Sequence, residues 1–463
     1  MIYDVLYGFI PITQWEEEII NSPFFQRLRW IKQLGFANYV FPGAEHNRFA
    51  HAIGVMHSMD QMLRSLDLAV SDDELFDPNK KSKDTMIHKC LRIAALLHDI
   101  GTFPFSHAIE YAYIRHGRDK RRDGGSLKDL PNSHEHLGSF IIKNTPYEGG
   151  ITHILKKYGL DVQLISQIIK GESPYLYANQ LMHSDLDADR MDYLIRDAHY
   201  TGIRYGQFDR DFLLSNLRTY TTKKKQIGFG VKESAIHAIE DFLIARFWWY
   251  SQVIKNPQSA KFDIMSSHVA ESFLGQDWLY QFQDLLTMIE TGDERFFWWN
   301  DVYFMTRLQD VWLEKKITDP KIREWVEMLL YRKAPKRVRV KLFEHQLLNH
   351  KHREDNRGAI VIQIKKHLMK FDRALKKSGK GSEWILVDIP GKDVRFTQSR
   401  EKIKGGISDR DAIKIVRKNG EATLLIDYEH SLVRHLSDFA NFVPSVYAND
   451  SALKILQKKG LAE

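Results

Sequence analysis

The stretch Leu91-Arg92-Ile93-Ala94-Ala95-Leu96-Leu97-His98-Asp99-Ile100-Gly101 is the part of this sequence around which we expect the fold to be organised. Its apolar residues predict a core helix, and that helix ends in an adjacent histidine and aspartate. An ionised carboxylate buried beside an imidazole is unstable unless a partner neutralises it, and a divalent cation is an effective partner. His98 and Asp99 therefore indicate a metal site. A solvated helix end, where the helix dipole favours a histidine, is the alternative.

Composition places the chain among ordinary globular proteins of two or three domains. Of its 463 residues, 43% are hydrophobic and 27% are charged, which argues against disorder and against a fibrous repeat. Lysine and arginine outnumber aspartate and glutamate, 67 against 60, and the pI is about 9.0. This balance suits an anionic partner such as a nucleotide, a nucleic acid or a phosphorylated metabolite.

The single cysteine, Cys90, indicates a reducing compartment, because one thiol excludes internal disulfides and zinc sites built from several thiolates. The first residues, Met1-Ile2-Tyr3-Asp4, lack the basic and apolar regions of a signal peptide, and no uninterrupted apolar run reaches the length of a membrane span. We therefore expect a cytoplasmic protein without a membrane partner.

Helical periodicity dominates the first two thirds of the chain. It predicts a helix at residues 23–35 and a second at 47–68. Ser133 and Ser184 have the side chain of an N-cap, so a helix is expected to begin after each of them. The charged, glycine-containing stretch 115–132 predicts a surface loop beside the proposed site.

The sequence pattern changes after about residue 330. Alternating charged and apolar residues at 337–342 and apolar runs at 384–387 and 422–426 predict strands. We therefore predict a mainly α protein, with an all-helical domain at residues 1–305. A smaller C-terminal α+β domain at 306–463 would serve in oligomerisation or regulation.

Further residues of metal-binding type lie upstream and downstream of the central stretch. Arg48-Phe49-Ala50-His51 opens a helix before it, and Asp187-Ala188-Asp189-Arg190-Met191-Asp192-Tyr193 supplies carboxylates after it. Together with the central pair these segments give a mixed set of imidazoles and carboxylates, suited to Mn, Fe, Co, Ni or Zn with positions left for water and phosphate. The four expected ligands are His51, His98, Asp99 and Asp189.

The downstream segment also has the pattern of a helix that lines a pocket. Asp189, Tyr193 and Asp197 follow at i, i+4 and i+8, which places them on one helix face. A salt-bridged surface face would be the better interpretation if this segment stood alone. The metal-type residues upstream favour the pocket.

Several motifs resemble the HD superfamily of metal-dependent phosphohydrolases. They are Phe25-Gln26-Arg27-Leu28-Arg29-Trp30-Ile31-Lys32-Gln33-Leu34-Gly35, Tyr39-Val40-Phe41-Pro42-Gly43-Ala44, Asn47-Arg48-Phe49-Ala50-His51, His98-Asp99 and Asp187-Ala188-Asp189. The branch they resemble most is the deoxynucleotide triphosphohydrolases, which includes enzymes that pair a sterile-alpha-motif domain with an HD domain. The resemblance is strong over residues 1–260 and patchier beyond. It implies an all-helical HD domain that hydrolyses nucleotide phosphoesters and, in this branch, releases deoxynucleoside and triphosphate.

The resemblance also implies a role for each residue of the site. The mixed ligand set would hold one divalent transition metal, with Mg²⁺ as a further candidate cofactor. Contacts to the triphosphate are implied for Arg48, Arg190, Tyr193 and Arg246. Contacts to the sugar, its 3′-hydroxyl included, are implied for Gln33, Leu34 and Asp197. His134 matches the general acid that protonates the leaving oxygen, Glu110 a carboxylate that orients it, and His107 a further active-site histidine.

One departure from the branch concerns the reaction itself. The branch usually has a histidine after His98-Asp99-Ile100-Gly101, where this chain has Thr102. A threonine donates one hydrogen bond but carries neither a proton for transfer nor a positive charge. The sequence therefore supports metal-dependent phosphoester hydrolysis more firmly than attack at the α-phosphorus. Ile254 and Asn256 also replace residues common in the branch, so base preference stays open.

A second departure concerns regulation. Several relatives are regulated by a second nucleotide site that assembles tetramers, and the resemblance implies a phosphate site at Gln26, Arg29, Arg332 and Lys336. Asn21 stands where the animal enzymes have an aspartate that reads guanine. A homo-oligomer, dimer or tetramer, is expected, and activation by a guanine nucleotide is not.

Two other functions stay open from the sequence. Within the enzyme class, a nucleoside monophosphate phosphatase or a cyclic-nucleotide phosphodiesterase would share the His-Asp chemistry. Outside it, the basic stretch 332–380 could bind nucleic acid while the HD pocket is vestigial. The retained ligand set argues against a vestigial pocket, and the same stretch could equally be a subunit interface.

Overall fold

The computed structural model describes residues 1–122, 134–349, 353–377, 382–390, 394–397 and 412–463. Ser133, most of the stretch 115–132 and part of the basic stretch 332–380 lie outside these ranges. Helices dominate the described residues, as the periodicity predicts. They are α1 (Gln14–Asn21), α2 (Pro23–Gln26), α3 (Arg48–Ser65), α4 (Asp72–Leu75), α5 (Lys83–Leu97), α6 (His107–Arg122), α7 (His134–Lys143), α8 (Ile151–Lys157), α9 (Val162–Lys170), α10 (Leu176–His183), α11 (Ala188–Thr201), α12 (Arg210–Ser215), α13 (Ile236–Trp249), α14 (Pro257–Gly275), α15 (Phe282–Thr291), α16 (Asp301–Leu313), α17 (Pro320–Leu330), α18 (Arg353–Lys376), α19 (Leu432–Leu436) and α20 (Asp450–Lys458).

The strands are short and form small sheets. They are β1 (Ile2–Asp4), β2 (Gly8–Ile10), β3 (Leu217–Thr221), β4 (Ile227–Lys232), β5 (Lys336–Arg337), β6 (Gln346–Asn349), β7 (Ile385–Asp388), β8 (Val394–Arg395), β9 (Lys414–Val416), β10 (Ala422–Leu424), β11 (Phe439–Phe442) and β12 (Ser445–Ala448). β1 and β2 make an N-terminal hairpin, and the other sheets have the orders β10-β9-β4-β3, β6-β11-β8 and β5-β12-β7. The mainly α class with a sheet-containing C-terminal part is therefore confirmed. Residues 1–305 are not entirely helical, because β1 to β4 lie within them.

Helix α5 is the predicted central helix. Ser82 caps its N-terminus by accepting a hydrogen bond from the Thr85 amide, and every residue from Ile87 to Leu97 is buried. The helix packs against α3 and α9, and α3 in turn packs against α11. Asn47 caps α3, as expected, by accepting from the Ala50 amide. This packing brings the first turns of α3 and α11 to the C-terminal end of α5.

The single helix predicted at residues 23–35 is wrong. The segment forms α2, then a 3₁₀ turn at Arg27–Trp30, and then leaves helical geometry. The reason is a long-range pairing: the Gln33 amide donates to the His46 carbonyl at 3.0 Å, and the Arg48 amide donates to the Ile31 carbonyl at 2.9 Å. Helical periodicity carries no information about this backbone pairing, which draws the segment away from a helix.

The start predicted for the helix after Ser184 is also wrong. Asp187 is the N-cap, since its side chain accepts from the Arg190 amide at 2.8 Å, and α11 begins at Ala188. Ser184 instead accepts from the Leu186 amide and donates to the Leu186 carbonyl in the turn that precedes the helix. Serine and aspartate both cap helices well, so the sequence alone does not show which of Ser184 and Asp187 is the N-cap.

The C-terminal part matches its prediction in outline. β7 and β10 lie where strands were expected at 384–387 and 422–426, but only Lys336–Arg337 is a strand near 337–342, and a 3₁₀ turn at Lys341–Phe343 follows. β9 pairs in parallel with β4, so one sheet joins the two parts of the chain. The boundary between residues 305 and 306 stays a prediction. No helix in the described ranges is long and apolar enough to span a bilayer.

Arg27 ties the loop after α5 to the rest of the helical core. Its side chain is 1% exposed and donates to the carbonyls of Trp299, Ile100 and Thr102, each at 2.9 Å. Replacing Arg27 with methionine fills similar volume but leaves these three buried carbonyls without their donor. We expect a loss of about 3 kcal/mol or more in the free energy of unfolding, measured by urea denaturation. Arg295→Met, at an exposed arginine, is the control and should change the free energy of unfolding by less than about 0.5 kcal/mol. Equal losses in both variants would contradict a stabilising role for the three hydrogen bonds of Arg27.

Candidate metal centre and active site

Four side chains from three helices meet at the end of α5. His51 lies in the first turn of α3, His98 and Asp99 follow α5, and Asp189 lies in the first turn of α11. His51 Nε2 is 3.0 Å from an Asp189 oxygen and 3.8 Å from an Asp99 oxygen. His98 Nε2 is 3.5 Å from Asp99 and 3.8 Å from Asp189. These separations suit four ligands of one ion, since metal–ligand bonds of about 2.1 Å place ligand atoms roughly 3 to 4 Å apart.

The two histidines present bare nitrogens to this centre. His98 Nδ1 donates to the Ala95 carbonyl at 2.7 Å, and His51 Nδ1 lies 2.7 Å from an Asp192 oxygen. Both contacts place the proton on Nδ1, so the Nε2 lone pairs point at the carboxylates. Neither Nε2 makes a well-directed hydrogen bond within the described part of the chain. Lone pairs facing carboxylate oxygens repel unless a proton or a metal ion lies between them. Two imidazoles and two carboxylates that converge at these distances fit a divalent metal.

The charge of the centre supports the same conclusion. Burial alone would lower the pKa of His51, but the Asp189 and Asp192 carboxylates outweigh it and raise that pKa to about 9, so His51 Nε2 holds a proton unless a metal ion takes its place. Burial would raise the pKa of Asp99, but the Arg48 guanidinium and the neighbouring imidazoles hold it well below its usual range. The site is thus rich in ionised carboxylates and demands positive charge, which a divalent ion supplies.

A buried chain of charges fixes His51 from behind. The Asp192 carboxylate that contacts His51 also accepts two hydrogen bonds from Arg196, at 2.8 and 2.9 Å, and Arg196 reaches Asp4 of the N-terminal hairpin at 2.9 Å. Asp192 was not singled out from the sequence. Its signal was the i, i+4 spacing to Arg196, which also describes an ordinary surface ion pair.

Asp192→Asn should lower the affinity for the metal while leaving the packing of the core intact. Such outer-shell partners typically account for about 10- to 100-fold in metal affinity, because they orient the ligand and raise its basicity. We expect that loss in a chelator competition followed by inductively coupled plasma mass spectrometry. Asp211→Asn, at a 94% exposed side chain, is the matched control and should retain the affinity of the unmodified protein. An unchanged affinity in Asp192→Asn would show that this carboxylate does not support the metal ligand.

Arginines border the centre on the side open to a ligand. Arg48 donates to Asp99 at 2.6 Å and to the Ser106 hydroxyl at 3.1 Å, while Arg190 forms an ion pair with Asp187. A cavity of about 220 Å³ joins these groups to the metal ligands. It is lined by Arg48, His98, Asp99, His107, His134, Glu135, Ile169, Met182, His183, Asp187, Asp189 and Arg190. Ile169, Met182 and His183 were not anticipated, and nothing in their spacing could have indicated them.

His134 and His107 line the same cavity, and both contact the buried carboxylate of Glu110. Glu110 Oε1 accepts from the His134 amide at 2.7 Å and contacts His134 Nδ1 at 3.1 Å, while Oε2 lies 2.7 Å from His107 Nδ1. His134 Nε2 is 4.0 Å from an Asp99 oxygen, so the free end of the ring faces the metal centre. Burial opposes a charge on His134, but Glu110 outweighs it and raises the pKa of His134 to about 9. The structure therefore brings together His134, Glu110 and His107, which the resemblance implies for the active site.

The groups implied for the sugar are buried and do not line this cavity. Gln33 and Asp197 are buried, Leu34 is 9% exposed, and Arg48 donates to the Gln33 carbonyl at 3.4 Å. Tyr193 packs on Trp249 with ring centroids 4.6 Å apart, and its hydroxyl has no partner among the described residues. Thr102, which stands where the related branch usually has a histidine, donates a hydrogen bond from its hydroxyl to Asp99 at 3.3 Å. It thus supports one of the expected metal ligands.

Arg246 does not face this cavity. It donates to Asp185 Oδ1 and to the Phe396 carbonyl, both at 2.9 Å, and is 3% exposed. Thr397 donates to the second Asp185 oxygen, so a C-terminal segment covers this arginine. A contact between Arg246 and a substrate phosphate stays a prediction. It would require Arg246 to give up its hydrogen bonds to Asp185 and Phe396.

The four residues implied for a regulatory phosphate fall into separate contacts. Arg29 donates to Gln26 at 2.7 Å, Arg332 donates to the Tyr39 carbonyl at 2.6 Å, and Lys336 pairs with Asp450 at 3.2 Å. Within one copy of the described chain, these contacts join only Gln26 to Arg29. The regulatory site stays a prediction.

Comparison with known proteins agrees with this geometry. The HD domain family matches residues 48–197. Uncharacterized protein YwfO of Bacillus subtilis is 34% identical over 253 residues, which is 54% of this chain and 50% of that protein. Deoxynucleoside triphosphate triphosphohydrolase SAMHD1 of Bos taurus is 30% identical over 264 residues, 49% of this chain and 41% of that protein. The chain thus matches about half the length of these curated relatives.

A solved structure extends the similarity in fold to nearly the whole chain. A hypothetical protein from Aquifex aeolicus superposes with a TM-score of 0.66 at 24% sequence identity, covering 98% of this chain and 99% of that one. The C-terminal sheets therefore belong to an arrangement that occurs elsewhere together with the helical part.

Proposed function

Because residues 48–197 of this chain are an HD domain, we propose that the protein is a metal-dependent phosphohydrolase that cleaves deoxynucleoside triphosphates into deoxynucleoside and triphosphate. The observation that carries the proposal is one cavity lined by three of the four expected metal ligands, His98, Asp99 and Asp189, by the two arginines Arg48 and Arg190, and by His134. The similarity to deoxynucleoside triphosphate triphosphohydrolase SAMHD1 supports the choice of substrate.

The metal, when bound, would polarise a phosphoryl oxygen and lower the pKa of a water. His51, His98, Asp99 and Asp189 would hold it. The chain's own groups supply the rest. Arg48 and Arg190 would bind the anionic chain of phosphates, and each forms an ion pair with a carboxylate that keeps the arginine charged and oriented.

In this proposal His134 would act as the general acid. In the proposed reaction, the oxygen of a water bonds to the α-phosphorus, the bond from that phosphorus to the 5′-oxygen breaks, and the proton of His134 Nε2 goes to the leaving oxygen. The proton that the water loses passes to solvent, from which His134 is protonated again. Glu110 keeps His134 protonated near neutral pH and holds its ring through Nδ1. His107 contacts the other oxygen of Glu110 and so steadies the carboxylate.

The experiment that tests the proposal is a product analysis. The purified protein is incubated with the four deoxynucleoside triphosphates plus Mn²⁺, Co²⁺ or Mg²⁺, and products are resolved by ion exchange. We expect deoxynucleoside and triphosphate in equal amounts, lost in His98→Ala and retained in His237→Ala, a variant of an exposed histidine outside the cavity. Pyrophosphate as product, or activity on monophosphates or cyclic nucleotides alone, would overturn it in favour of another HD-type reaction.

The same proposal includes a homo-oligomer in the cytoplasm. Light scattering of the purified protein, with and without nucleotide, tests the oligomer. A strictly monomeric active enzyme would overturn that part.

A further inference from the structure

Helix α18 turns an apolar side toward the C-terminal core and a charged side outward. Its inner residues Ile364 and Phe371 are 0% exposed and pack in that core. From Arg357 to Lys377 the chain has seven lysines and arginines but one carboxylate, Asp372. Six of the seven cations are exposed, and we call them the basic face of α18: Lys365, Lys366, Lys370, Arg373, Lys376 and Lys377.

Helical spacing places the basic face on one surface. Four of its residues follow at i, i+4, i+7 and i+11, in the order Lys366, Lys370, Arg373 and Lys377. Lys376 pairs with Asp372 at 2.9 Å, and within the described part of the chain the other five cations form no ion pair with a carboxylate. From Lys365 to Lys377 the face extends over about 18 Å, since each residue advances a helix by about 1.5 Å.

Further cations lie on the neighbouring helix α20. The two helices pack together, and His367 Nε2 of α18 lies 3.4 Å from the Leu461 carbonyl just after α20. Lys454, Lys458 and Lys459 of this second segment are exposed. Cations at this density repel one another unless anions lie between them, so the surface attracts a polyanion.

The residues of α18 argue against two partners of other kinds. A helix that lies in a membrane surface buries an apolar side in the bilayer, but the apolar side of α18 is buried in the protein. Only Ile362 and Met369, 55% and 51% exposed, are exposed large apolar side chains of this helix within the described ranges. A second copy of the chain docked symmetrically on this face would bring like charges together.

Among nucleic acids, the face favours a duplex over a single strand. Proteins bind single strands by stacking the bases on aromatic side chains, and the one aromatic residue of α18, Phe371, is buried. Duplex DNA carries one phosphate charge per about 1.7 Å of its axis, so about 18 Å of helix passes about ten phosphates. Six outward cations therefore have enough phosphates within reach.

We propose that the basic face of α18 binds the phosphate backbone of double-stranded nucleic acid without reading its sequence. Lysine and arginine side chains donate to phosphate oxygens, and the counterions released from the duplex drive the association. No described residue of α18 lines the cavity at the metal centre, so this binding is separate from the proposed hydrolysis and goes beyond it.

The test measures the anisotropy of a fluorescent DNA duplex while the salt concentration is raised. Between about 50 and 200 mM NaCl, the logarithm of the binding constant should fall against the logarithm of salt with a slope of about −5, because each of six phosphate contacts contributes about −0.9. A triple variant, Lys366→Gln with Lys370→Gln and Arg373→Gln, should make the slope shallower by about 3. Lys370→Gln and Arg373→Gln alone should each make it shallower by about 1, which keeps the test valid should the triple variant fail to fold.

The matched control removes the same charge elsewhere. Lys223→Gln with Lys224→Gln and Lys225→Gln changes the exposed turn between β3 and β4 and should keep the slope of the unmodified protein. His98→Ala should keep it too, so that a failure of the proposed hydrolysis and a failure of duplex binding are told apart. Equal losses in the two triple variants would reduce the effect to net charge and overturn the proposal. Tighter binding to a single strand of equal length, or to vesicles containing phosphatidylserine, would overturn the choice of partner.

Discussion

Asp189→Ala is expected to abolish triphosphate release and to empty the metal centre. Asp189 supplies an oxygen 3.0 Å from His51 Nε2 and 3.8 Å from His98 Nε2, and its side chain is one-third exposed, so its removal should spare the core. A metal that polarises the phosphoryl oxygen contributes several kcal/mol to transition-state stabilisation, so we expect a fall in kcat/KM of about 10³-fold or more.

The measurement combines metal content with activity. The unmodified protein stripped by a chelator should match Asp189→Ala, and adding Mn²⁺ back should restore the former but not the latter. Asp211→Ala, at a fully solvated carboxylate, should behave as the unmodified protein throughout. Full activity in Asp189→Ala, or full activity after stripping, would show that the reaction does not use this centre.

His134→Gln is expected to lower kcat by about 10²- to 10⁴-fold while leaving metal content and KM nearly unchanged. The ring has one nitrogen on Glu110 and the other facing the metal centre, 4.0 Å from an Asp99 oxygen, so it can pass a proton to a group bound there. The loss should shrink with a p-nitrophenyl phosphodiester, because that leaving group departs without a proton. His136→Gln, two residues along on an exposed position, is the control and should retain full activity.

The pH profile gives a second signature of the same residue. Since the pKa of His134 is raised to about 9, its proton is present at neutral pH, and kcat should fall as the pH rises through the alkaline range. Glu110→Gln removes the anion that raises this pKa, so the descending limb should move to lower pH. A limb that stays in place in Glu110→Gln would assign the alkaline loss to another group.

The sequence indicated the four expected metal ligands by their residue types and by their positions at predicted helix ends. A histidine or aspartate at a helix end beside a core is rare enough to notice, and His51, His98-Asp99 and Asp189 each stand in that position. Periodicity could place these residues at the ends of α3, α5 and α11, because burial of an apolar face is local in sequence. It could also suggest that Tyr193 and Asp197 share the face of Asp189.

Only the tertiary structure decided how these groups are oriented. The partners that orient them are far away in sequence: 141 residues separate His51 from Asp192, 151 separate His46 from Asp197, and 192 separate Asp4 from Arg196. A buried charge is stabilised by whichever group the packing brings within about 3 Å, and that is a property of the folded chain. For the same reason the backbone pairing beside His46 replaced a predicted helix, and Arg246 proved to lie against Asp185 and Phe396. The sequence by itself therefore determined which residues can bind the metal and that helices carry them; the packing of α3, α5 and α11 determined which nitrogen and which oxygen each of them presents.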